Sequence, residues 1–252
     1  MSNTSTEPAE YPLVSVVIPM FNEEKHIARC LESVLAQDYP RDRLEVIVAD
    51  GMSTDRCPEI VREYSEKYPW IRLIENPKRI MAGAMNRAIP LARGSIIARM
   101  DAHSEYATDY LSKCVYYLQK TGAENAGGLC VTYPGADTLM AECIAAITTN
   151  RLVVGGSPFR VSRRPRYSDS CVFGCWPKEV YDQIGLYNEA LISNEDNDIN
   201  SRILRYGGKI FQTPAIRLKY YNQATLRGLC RQAYRNGVWN LLMLWANAST
   251  WR

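Results

Sequence analysis

Short apolar runs alternate with amphipathic segments along the first hundred residues of this chain of 252 residues, and this alternation limits the possible folds more than any other feature. The pattern predicts buried strands at 13–19, 44–50, 71–75 and 95–100, and helices at 22–39, 58–68 and 81–92. Asn22 is a suitable N-cap for the first helix, and Pro58 lies in the first turn of the second. Strand–helix alternation is typical of a parallel sheet with helices on both faces.

Polar side chains follow three of these strands, at the edge of the sheet where such folds bind ligands. The positions are 19–23, 50–55 and 101–103. Phe21 could stack on a base, Glu23 could lie near a ribose, and Asp50 could accept a hydrogen bond from a base N–H. An acidic residue after a strand is more often a cap or turn residue, but three such positions at one edge favour a binding site. Neither GxGxxG nor GxxxxGK[ST] follows the first strand, so a dinucleotide fold and a P-loop have no support.

The fourth strand ends in "ARMDAH", which places Asp101 two residues before His103, one of only two histidines. In an extended segment these two side chains point the same way, so both could reach one cation. A divalent cation bridges the charges of a nucleotide diphosphate well. Magnesium favours oxygen ligands, whereas an imidazole beside a carboxylate fits manganese better. The alternative for His103 is a hydrogen bond to a loop carbonyl.

A second acidic group occurs in "NEDND", where three carboxylates lie within four residues: Glu195, Asp196 and Asp198. Asn194 is the expected N-cap of a helix that starts there. Helical spacing places Asp196 on the same face as the apolar positions of that helix, so it should face inward. Asp198 and Arg202 are spaced for an exposed salt bridge. Acidic residues also stabilise a helix N-terminus, which explains Asp198 but not three carboxylates.

The net charge of +3 is unevenly distributed, because residues 199–252 contain nine Lys or Arg and no Asp or Glu. This favours an anionic partner such as phosphate or a membrane surface. Arg227, Arg231 and Arg235 are spaced by four and form one stripe of a helix, for which a solvated basic face is the alternative. Nucleic acid is disfavoured, since the arginines lack interleaved aromatic residues and the rest of the chain is acidic.

The segment "GVWNLLMLWANASTW" is apolar but too short to span a bilayer, which predicts an interfacial helix near anionic lipid or, alternatively, a core helix. No run of about 18 apolar residues occurs anywhere.

The start "MSNTSTEPAEYP" lacks the apolar region of a signal peptide. The eight cysteines form no CxxC pair, so we expect reduced thiols and a cytoplasmic protein. The arginine-rich loop 153–170 is either an acceptor-side lid or a disordered surface loop.

Taken together, the motifs resemble the family 2 glycosyltransferases of GT-A fold. The similar stretches are "VSVVIPMFNEEKHIARCLESVLAQDYP", "LEVIVADGMSTD", "ARMDAH", "FGCWPKEVYDQIGLYNEAL", "NEDNDINSRILRYGGKIF" and "RQAYRNGVW". They occur in the family's order over roughly residues 13–240. Within the family, "VGGSPFR" and the NED run are most similar to the ExoA-like group of membrane-associated succinoglycan and exopolysaccharide enzymes. The family's usual metal motif is Asp-x-Asp, and here His103 stands at its third position.

The resemblance implies an α/β fold, GT-A and Rossmann-like, with a mostly parallel central sheet flanked by helices and a C-terminal acceptor-side helical segment. A flexible N-terminus, 1–12, would precede one glycosyltransferase domain, 13–252. In that domain, 13–105 would bind the nucleotide sugar, 106–222 would bind the acceptor and hold the catalytic groups, and 223–252 would form a basic, aromatic helix at a membrane interface.

The same resemblance implies an inverting, metal-dependent transfer from a nucleotide sugar, with uridine as the favoured base. The acceptor would be a saccharide or a polyprenyl-diphosphate-linked sugar in exopolysaccharide or cell-surface glycan synthesis, at the cytoplasmic face of the inner membrane. Asp196 is then the general base with Glu195 beside it, and Asp101 holds Mn²⁺ or Mg²⁺ with His103 as the candidate second ligand. The donor-binding residues are expected to be Pro19, Phe21, Glu23, Asp50, Arg79, Gly83, Asp101, Gln232 and Arg235. The last two come from "RQAYRN", a variant of QxxRW with Asn236 in place of Trp.

Two other functions use part of the same pattern. A sugar-phosphate nucleotidyltransferase should have a glycine-rich, basic loop after the first strand, whereas "PMFNEEK" is aromatic and acidic. A non-catalytic nucleotide-sugar-binding subunit would keep Asp50 and Asp101 but could lose the base, and Asp196 is present. Both observations favour the transferase.

Overall fold

In the computed structural model, which describes residues 7–150, 158–171 and 173–247, the first hundred residues form four parallel strands joined by helices. The elements are β1 (Val14–Met20), α1 (Ile27–Leu35), a 3₁₀ turn (Arg41–Arg43), β2 (Leu44–Asp50), α2 (Cys57–Lys67), β3 (Ile71–Glu75), α3 (Met81–Leu91) and β4 (Ile96–Arg99). The strands lie in the order β3–β2–β1–β4. β2 is buried along its whole length, because helices cover both faces of the sheet. The predicted elements of this half are confirmed.

The second half continues the same sheet with both strand directions. Its elements are β5 (Ser104–Tyr106), α4 (Tyr110–Thr121), β6 (Asn125–Tyr133), α5 (Leu139–Thr148), α6 (Pro158–Val161), β7 (Arg166–Tyr167), β8 (Cys175–Pro177), α7 (Val180–Ile184), α8 (Glu195–Arg205), β9 (Ile210–Tyr221) and α9 (Leu226–Asn247). β8 lies antiparallel between β4 and β6, and β9 lies parallel to β6 but antiparallel to β5 and β7. The α/β class is confirmed, and the purely parallel part of the sheet is its first four strands.

The two faces of the sheet bury different side chains because successive residues of a strand point to opposite faces. Val14, Val16 and Ile18 pack with α1, α2 and α4 on one face. Val17 and Ile97 pack on the other face with α3 and with the apolar side of α8. This second face brings the N-terminus of α8 to the carboxyl end of β4, where the candidate site lies.

The first helix is shorter than predicted, and Asn22 is not its N-cap. α1 begins at Ile27 behind His26. Asn22 has a left-handed backbone (φ 55°), and its side-chain oxygen accepts a hydrogen bond from the Thr54 N–H at 2.8 Å. Its own N–H donates to Ser53 Oγ at 2.9 Å. Asn22 therefore joins the loops after β1 and β2, and the helix starts one turn later.

A buried carboxylate ties the amino ends of the central strands together. Glu45 on β2 lies opposite Ser15 on β1, and its side chain is fully buried. It accepts hydrogen bonds from the Ser15 hydroxyl at 2.5 Å, from the backbone N–H and Nε of Arg93 at 2.5 and 2.9 Å, and from Arg72 Nη2 at 3.2 Å. Burial alone would raise the pKa of Glu45, but the hydrogen bonds from Ser15 and Arg93 outweigh it and lower the pKa.

We expect Glu45→Gln to lower the free energy of unfolding by about 1–3 kcal/mol at neutral pH, measured by urea denaturation, because four charge-assisted hydrogen bonds are lost or weakened. The folded-state pKa lies below the unfolded one, so the difference between the two proteins should shrink as the pH falls below the unfolded value of about 4.3 and vanish below the folded value. The control is Glu59→Gln, because Glu59 is an exposed partner of Arg62 at 3.6 Å. Equal effects of the two substitutions would contradict the buried role of Glu45.

α9 lies within the segment predicted as a C-terminal helix, 223–252, and the prediction for 248–252 lies outside the described residues. Its large apolar side chains at Leu226, Tyr234 and Leu241 are exposed. No helix within the described ranges is long and apolar enough to cross a membrane. The predicted loop 153–170 is described only from 158 onward, where it forms α6 and β7, and the prediction for 153–157 lies outside the described residues.

Candidate active site

Six of the predicted residues line one small cavity of about 160 Å³ at the carboxyl ends of β1 and β4. They are Pro19, Phe21, Glu23, Arg79, Asp101 and His103. β1 and β2 end in register, with Met20 opposite Asp50, and the Gly51 N–H donates to the Met20 carbonyl at 2.7 Å. This turn brings Phe21, which is 45% exposed, to the rim of the cavity. An exposed ring beside a polar cavity suits stacking with a planar base.

Asp50 stabilises a turn as well as facing a groove. Its carboxylate accepts hydrogen bonds from the Ser53 hydroxyl at 2.6 Å and from the Ser53 N–H at 3.2 Å. It lines a larger groove of about 1170 Å³ that runs along α2 and β3, and Arg79 joins this groove to the small cavity. The nucleoside end of a ligand therefore has room beside Asp50, with the turn holding the carboxylate in place.

Arg99, at the end of β4, connects the acidic groups of the two halves. Its side chain is 5% exposed and forms a two-point contact with Asp101, from Nε to Oδ1 at 2.8 Å and from Nη2 to Oδ2 at 3.2 Å. Nη1 bonds to the carboxylate of Asp196 and lies 3.7 Å from that of Glu195. The Phe173 ring covers the guanidinium at 5.6 Å. One buried cation thus bonds to two carboxylates and holds them in position, and a third carboxylate lies close to it.

Asp101 and His103 present one carboxylate and one imidazole to the same cavity. Arg99 uses one lone pair on each Asp101 oxygen, which leaves further lone pairs on that carboxylate. His103 Nδ1 lies 3.4 Å from Glu23. Burial would lower the pKa of His103, but the hydrogen bond to Glu23 and the charge of Asp101 raise it. The described residues contain no cluster of three possible metal ligands, so a bound ion would need ligand atoms from the substrate.

The acidic pair at the start of α8 has raised pKa values. Burial and then the charge of Asp196 raise the pKa of Glu195 to about 7. Burial also raises the pKa of Asp196, and the charge of Arg99 opposes this rise. A carboxylate that is buried yet paired with a cation can stay ionised and still accept a proton at neutral pH. The Asp196 side chain is only 17% exposed and is paired with Arg99.

The start of α8 differs from the prediction in two respects. Asn194 precedes the helix with a left-handed backbone (φ 66°), and its side chain makes no capping hydrogen bond. Asp198 does pair with Arg202, from Nη2 to Oδ2 at 2.8 Å, but Asp198 is buried rather than exposed. Arg202 Nη1 also donates to the Ile184 carbonyl at 2.6 Å. This pair therefore anchors α8 to the end of α7, which fixes the position of the acidic pair.

A second cavity, of about 410 Å³, shares Asp101 and His103 with the first and extends past Asp196 to α9. Tyr220 lies on its wall, with its ring 5.8 Å from that of His103 and 6.4 Å from that of Phe173. The predicted donor residue Gln232 lines this cavity, and its amide donates to Tyr220 Oη at 3.4 Å. The two cavities together form one cleft, because they share Asp101 and His103.

Two predicted residues lie away from the cleft wall. Arg235 is exposed on α9, and Asn236 rather than Arg235 lines the cavity beside Gln232. Gly83 is buried in α3, where a Cβ atom would lie 2.9 Å from Asn76 Oδ1 and 3.0 Å from Lys78 Cβ. Its contribution in this structure is the close packing of α3 against the turn after β3.

The structure adds cleft residues that the sequence did not single out. Arg99 had a local signal, since it interrupts the apolar run "SIIARM", but nothing near it in sequence shows that it reaches Asp196. Three further residues enter the cleft through pairings between distant parts of the chain: Phe173 from the segment before β8, Tyr220 from β9 and Arg160 from α6. No local pattern indicates these three positions.

Comparison with known proteins agrees with this geometry. Residues 15–177 match the family described as glycosyl transferase family 2. The chain is 31% identical over 224 residues to the succinoglycan biosynthesis protein ExoA of Rhizobium meliloti, covering 88% of this chain and 67% of that protein. It is 28% identical over 237 residues to the dolichyl N-acetyl-alpha-D-glucosaminyl phosphate 3-beta-D-2,3-diacetamido-2,3-dideoxy-beta-D-glucuronosyltransferase of Methanococcus voltae, covering 92% and 74%.

One solved structure has a similar fold over nearly the whole chain. The mannosyltransferase PcManGT from Pyrobaculum calidifontis, in complex with GDP-Man and Mn²⁺, superposes with a TM-score of 0.73. The match covers 98% of this chain and 67% of that one, at 24% sequence identity. At this level of sequence identity, the structural similarity shows that the two chains share a fold, and it shows nothing further.

Proposed function

The chain belongs to glycosyl transferase family 2 and is a glycosyltransferase, and we propose that it transfers a sugar, with inversion and with a divalent cation, from a UDP-sugar to a lipid-linked or oligosaccharide acceptor. The observation that carries this proposal is the position of Arg99, which joins the donor-side carboxylate Asp101 to the base candidate Asp196. The two carboxylates thereby face one cleft from opposite halves of the chain.

The proposed reaction is a single displacement. The acceptor hydroxyl oxygen attacks the anomeric carbon, the bond from that carbon to the diphosphate oxygen breaks, and the electron pair leaves with the nucleoside diphosphate. Asp196 takes the hydroxyl proton, since its pairing with Arg99 favours the ionised form. Glu195 lies beside it and shares the same cation. A single displacement requires no protein nucleophile, so no Ser or Cys has a role.

Asp101 and His103 are the residues that would hold the cation, Mn²⁺ or Mg²⁺. When bound, such an ion supplies Lewis-acid stabilisation of the negative charge on the leaving diphosphate. The protein's own part is to present one carboxylate and one imidazole from the segment after β4, with Arg99 fixing the carboxylate. PcManGT, which has the same fold, holds Mn²⁺ together with its nucleotide sugar.

The acceptor proposal is supported by the name of the Methanococcus voltae relative, which refers to a dolichyl-phosphate-linked sugar. The resemblance to ExoA supports a role in exopolysaccharide or cell-surface glycan synthesis. We place this activity at the cytoplasmic face of the inner membrane, with α9 in peripheral contact with lipid. The exposed apolar residues of α9 beside the exposed Arg227, Arg231 and Arg235 support that contact.

The proposal is tested by a nucleotide-release assay with UDP-sugars and GDP-sugars, Mn²⁺ and a lipid-linked saccharide extract as the acceptor source. We expect one UDP-sugar to release UDP in an acceptor-dependent way. If no donor releases nucleotide above the level of an Asp196→Asn variant, the transfer assignment fails. Release from a GDP-sugar alone would correct the nucleotide and keep the reaction class.

A further inference from the structure

Arg160 is a cation on the cleft wall for which the structure shows no carboxylate partner. It lies on α6 and lines the 410 Å³ cavity together with Asp101, His103 and Asp196. Arg99, which lies behind this cavity, is already paired with the carboxylates of Asp101, Glu195 and Asp196. In the part of the chain that the structure describes, no carboxylate comes within ion-pair distance of Arg160. A positive charge therefore remains on the acceptor side of the cleft.

The surroundings of Arg160 keep this charge available. Its guanidinium lies over the Tyr220 ring at 5.5 Å and near the Phe159 ring at 5.3 Å. Nη1 approaches Thr132 Oγ1 at 3.4 Å. Stacking on an aromatic face orients the guanidinium without using its in-plane N–H donors, and an arginine has five of them. Donors that are held in place beside a cleft are suited to receive an anion from it.

We propose that Arg160, oriented by Tyr220 and Phe159, binds a phosphoryl group in the cleft, an inference that rests on the proposed transferase function. The flat, forked guanidinium matches the oxygens of a phosphate better than those of a neutral sugar. Two substrates could supply that phosphate. The Tyr220 ring that supports Arg160 also contacts His103, on the donor-diphosphate side. Arg160 also lines the cavity of Asp196, on the side where a lipid-linked acceptor would bring its phosphate.

The test compares Arg160→Gln and Arg160→Lys with wild type by calorimetry in two arms. The first arm titrates UDP in the presence of Mn²⁺. The second titrates farnesyl phosphate into protein saturated with UDP and Mn²⁺, with farnesol as the uncharged reference. Arg164→Gln is the matched control, since Arg164 is exposed on the same segment. Circular dichroism and thermal melting verify that each variant is folded.

We expect Arg160→Gln to weaken one of the two phosphate ligands by about tenfold or more, the effect of losing a charge-assisted hydrogen bond, and Arg160→Lys to weaken it less. Loss in the UDP arm assigns Arg160 to the donor diphosphate, and loss in the farnesyl phosphate arm alone assigns it to the acceptor. If wild type binds UDP and Arg160→Gln matches it in both arms, this inference is wrong and the transferase proposal stands. Wild-type protein that binds neither phosphate ligand would contradict both.

Discussion

Asp196→Asn is expected to reduce sugar transfer by about 10²–10⁴-fold while leaving the affinity for UDP and Mn²⁺ close to wild type, because a general base acts on the acceptor proton and not on the bound donor. The asparagine side chain has nearly the same size and can still accept a hydrogen bond from Arg99. Nucleotide release measures transfer, and calorimetry measures donor affinity. The effect should therefore be on turnover at saturating donor.

Asp182→Asn is the matched control for this prediction. Asp182 lies on α7, is exposed, and faces a separate groove at the opposite end of the sheet. We expect wild-type turnover from it. Substantial transfer by Asp196→Asn would show that this carboxylate is not the base, and Glu195, with its pKa raised to about 7, would be the next residue to substitute.

Arg99→Met is expected to abolish transfer and to lower the free energy of unfolding by about 3–5 kcal/mol, because removal of one partner leaves buried charges without compensation. Methionine keeps much of the length and apolar contact of the arginine, including the contact with Phe173. Without the guanidinium, the three carboxylates repel one another, so the pKa values of Asp196 and Glu195 rise further and the base is protonated more readily.

A pH profile separates this positioning role from simple loss of structure. Arg99→Lys retains the positive charge but cannot contact both carboxylates with a planar fork, so we expect partial activity whose acid limb lies at a higher pH than that of wild type. Arg43→Met is the control, because Arg43 is half exposed and its partner Asp42 lies 3.6 Å away on the surface. Normal activity of Arg99→Met with an unchanged acid limb would show that the bridge has no catalytic function.

The first half of the fold could be predicted because its signals are local. The apolar runs of β1, β2 and β4 are strands buried on both faces, and polar residues after these runs lie at one edge of the sheet. The family resemblance, the α/β class and the transferase class are confirmed. Six predicted residues meet in one cavity because parallel strands bring their carboxyl ends to the same edge.

The remaining features depend on contacts between residues far apart in sequence. Asn22 has the chemistry of a helix cap, but the loop after β2 offers its side chain a better partner in Thr54. His103 contacts Glu23, 80 positions earlier, and Arg99 contacts Asp196, 97 positions later. β9 pairs with β6 in a register that joins Asn125 to Ile210, 85 positions later, and this pairing places Tyr220 in the cleft. No periodicity within one segment encodes such contacts.

Calorimetric titration of UDP tests the central proposal most directly, with Mn²⁺, with Mg²⁺ and with chelator, on wild type and on Asp101→Ala. We predict binding that requires a divalent cation, that is tighter with Mn²⁺ because the proposed second ligand, His103, is an imidazole, and that is weakened by about tenfold or more in Asp101→Ala. Equal binding by wild type and Asp101→Ala, or binding that is unchanged by chelator, would contradict a cation-assisted donor site at the end of β4.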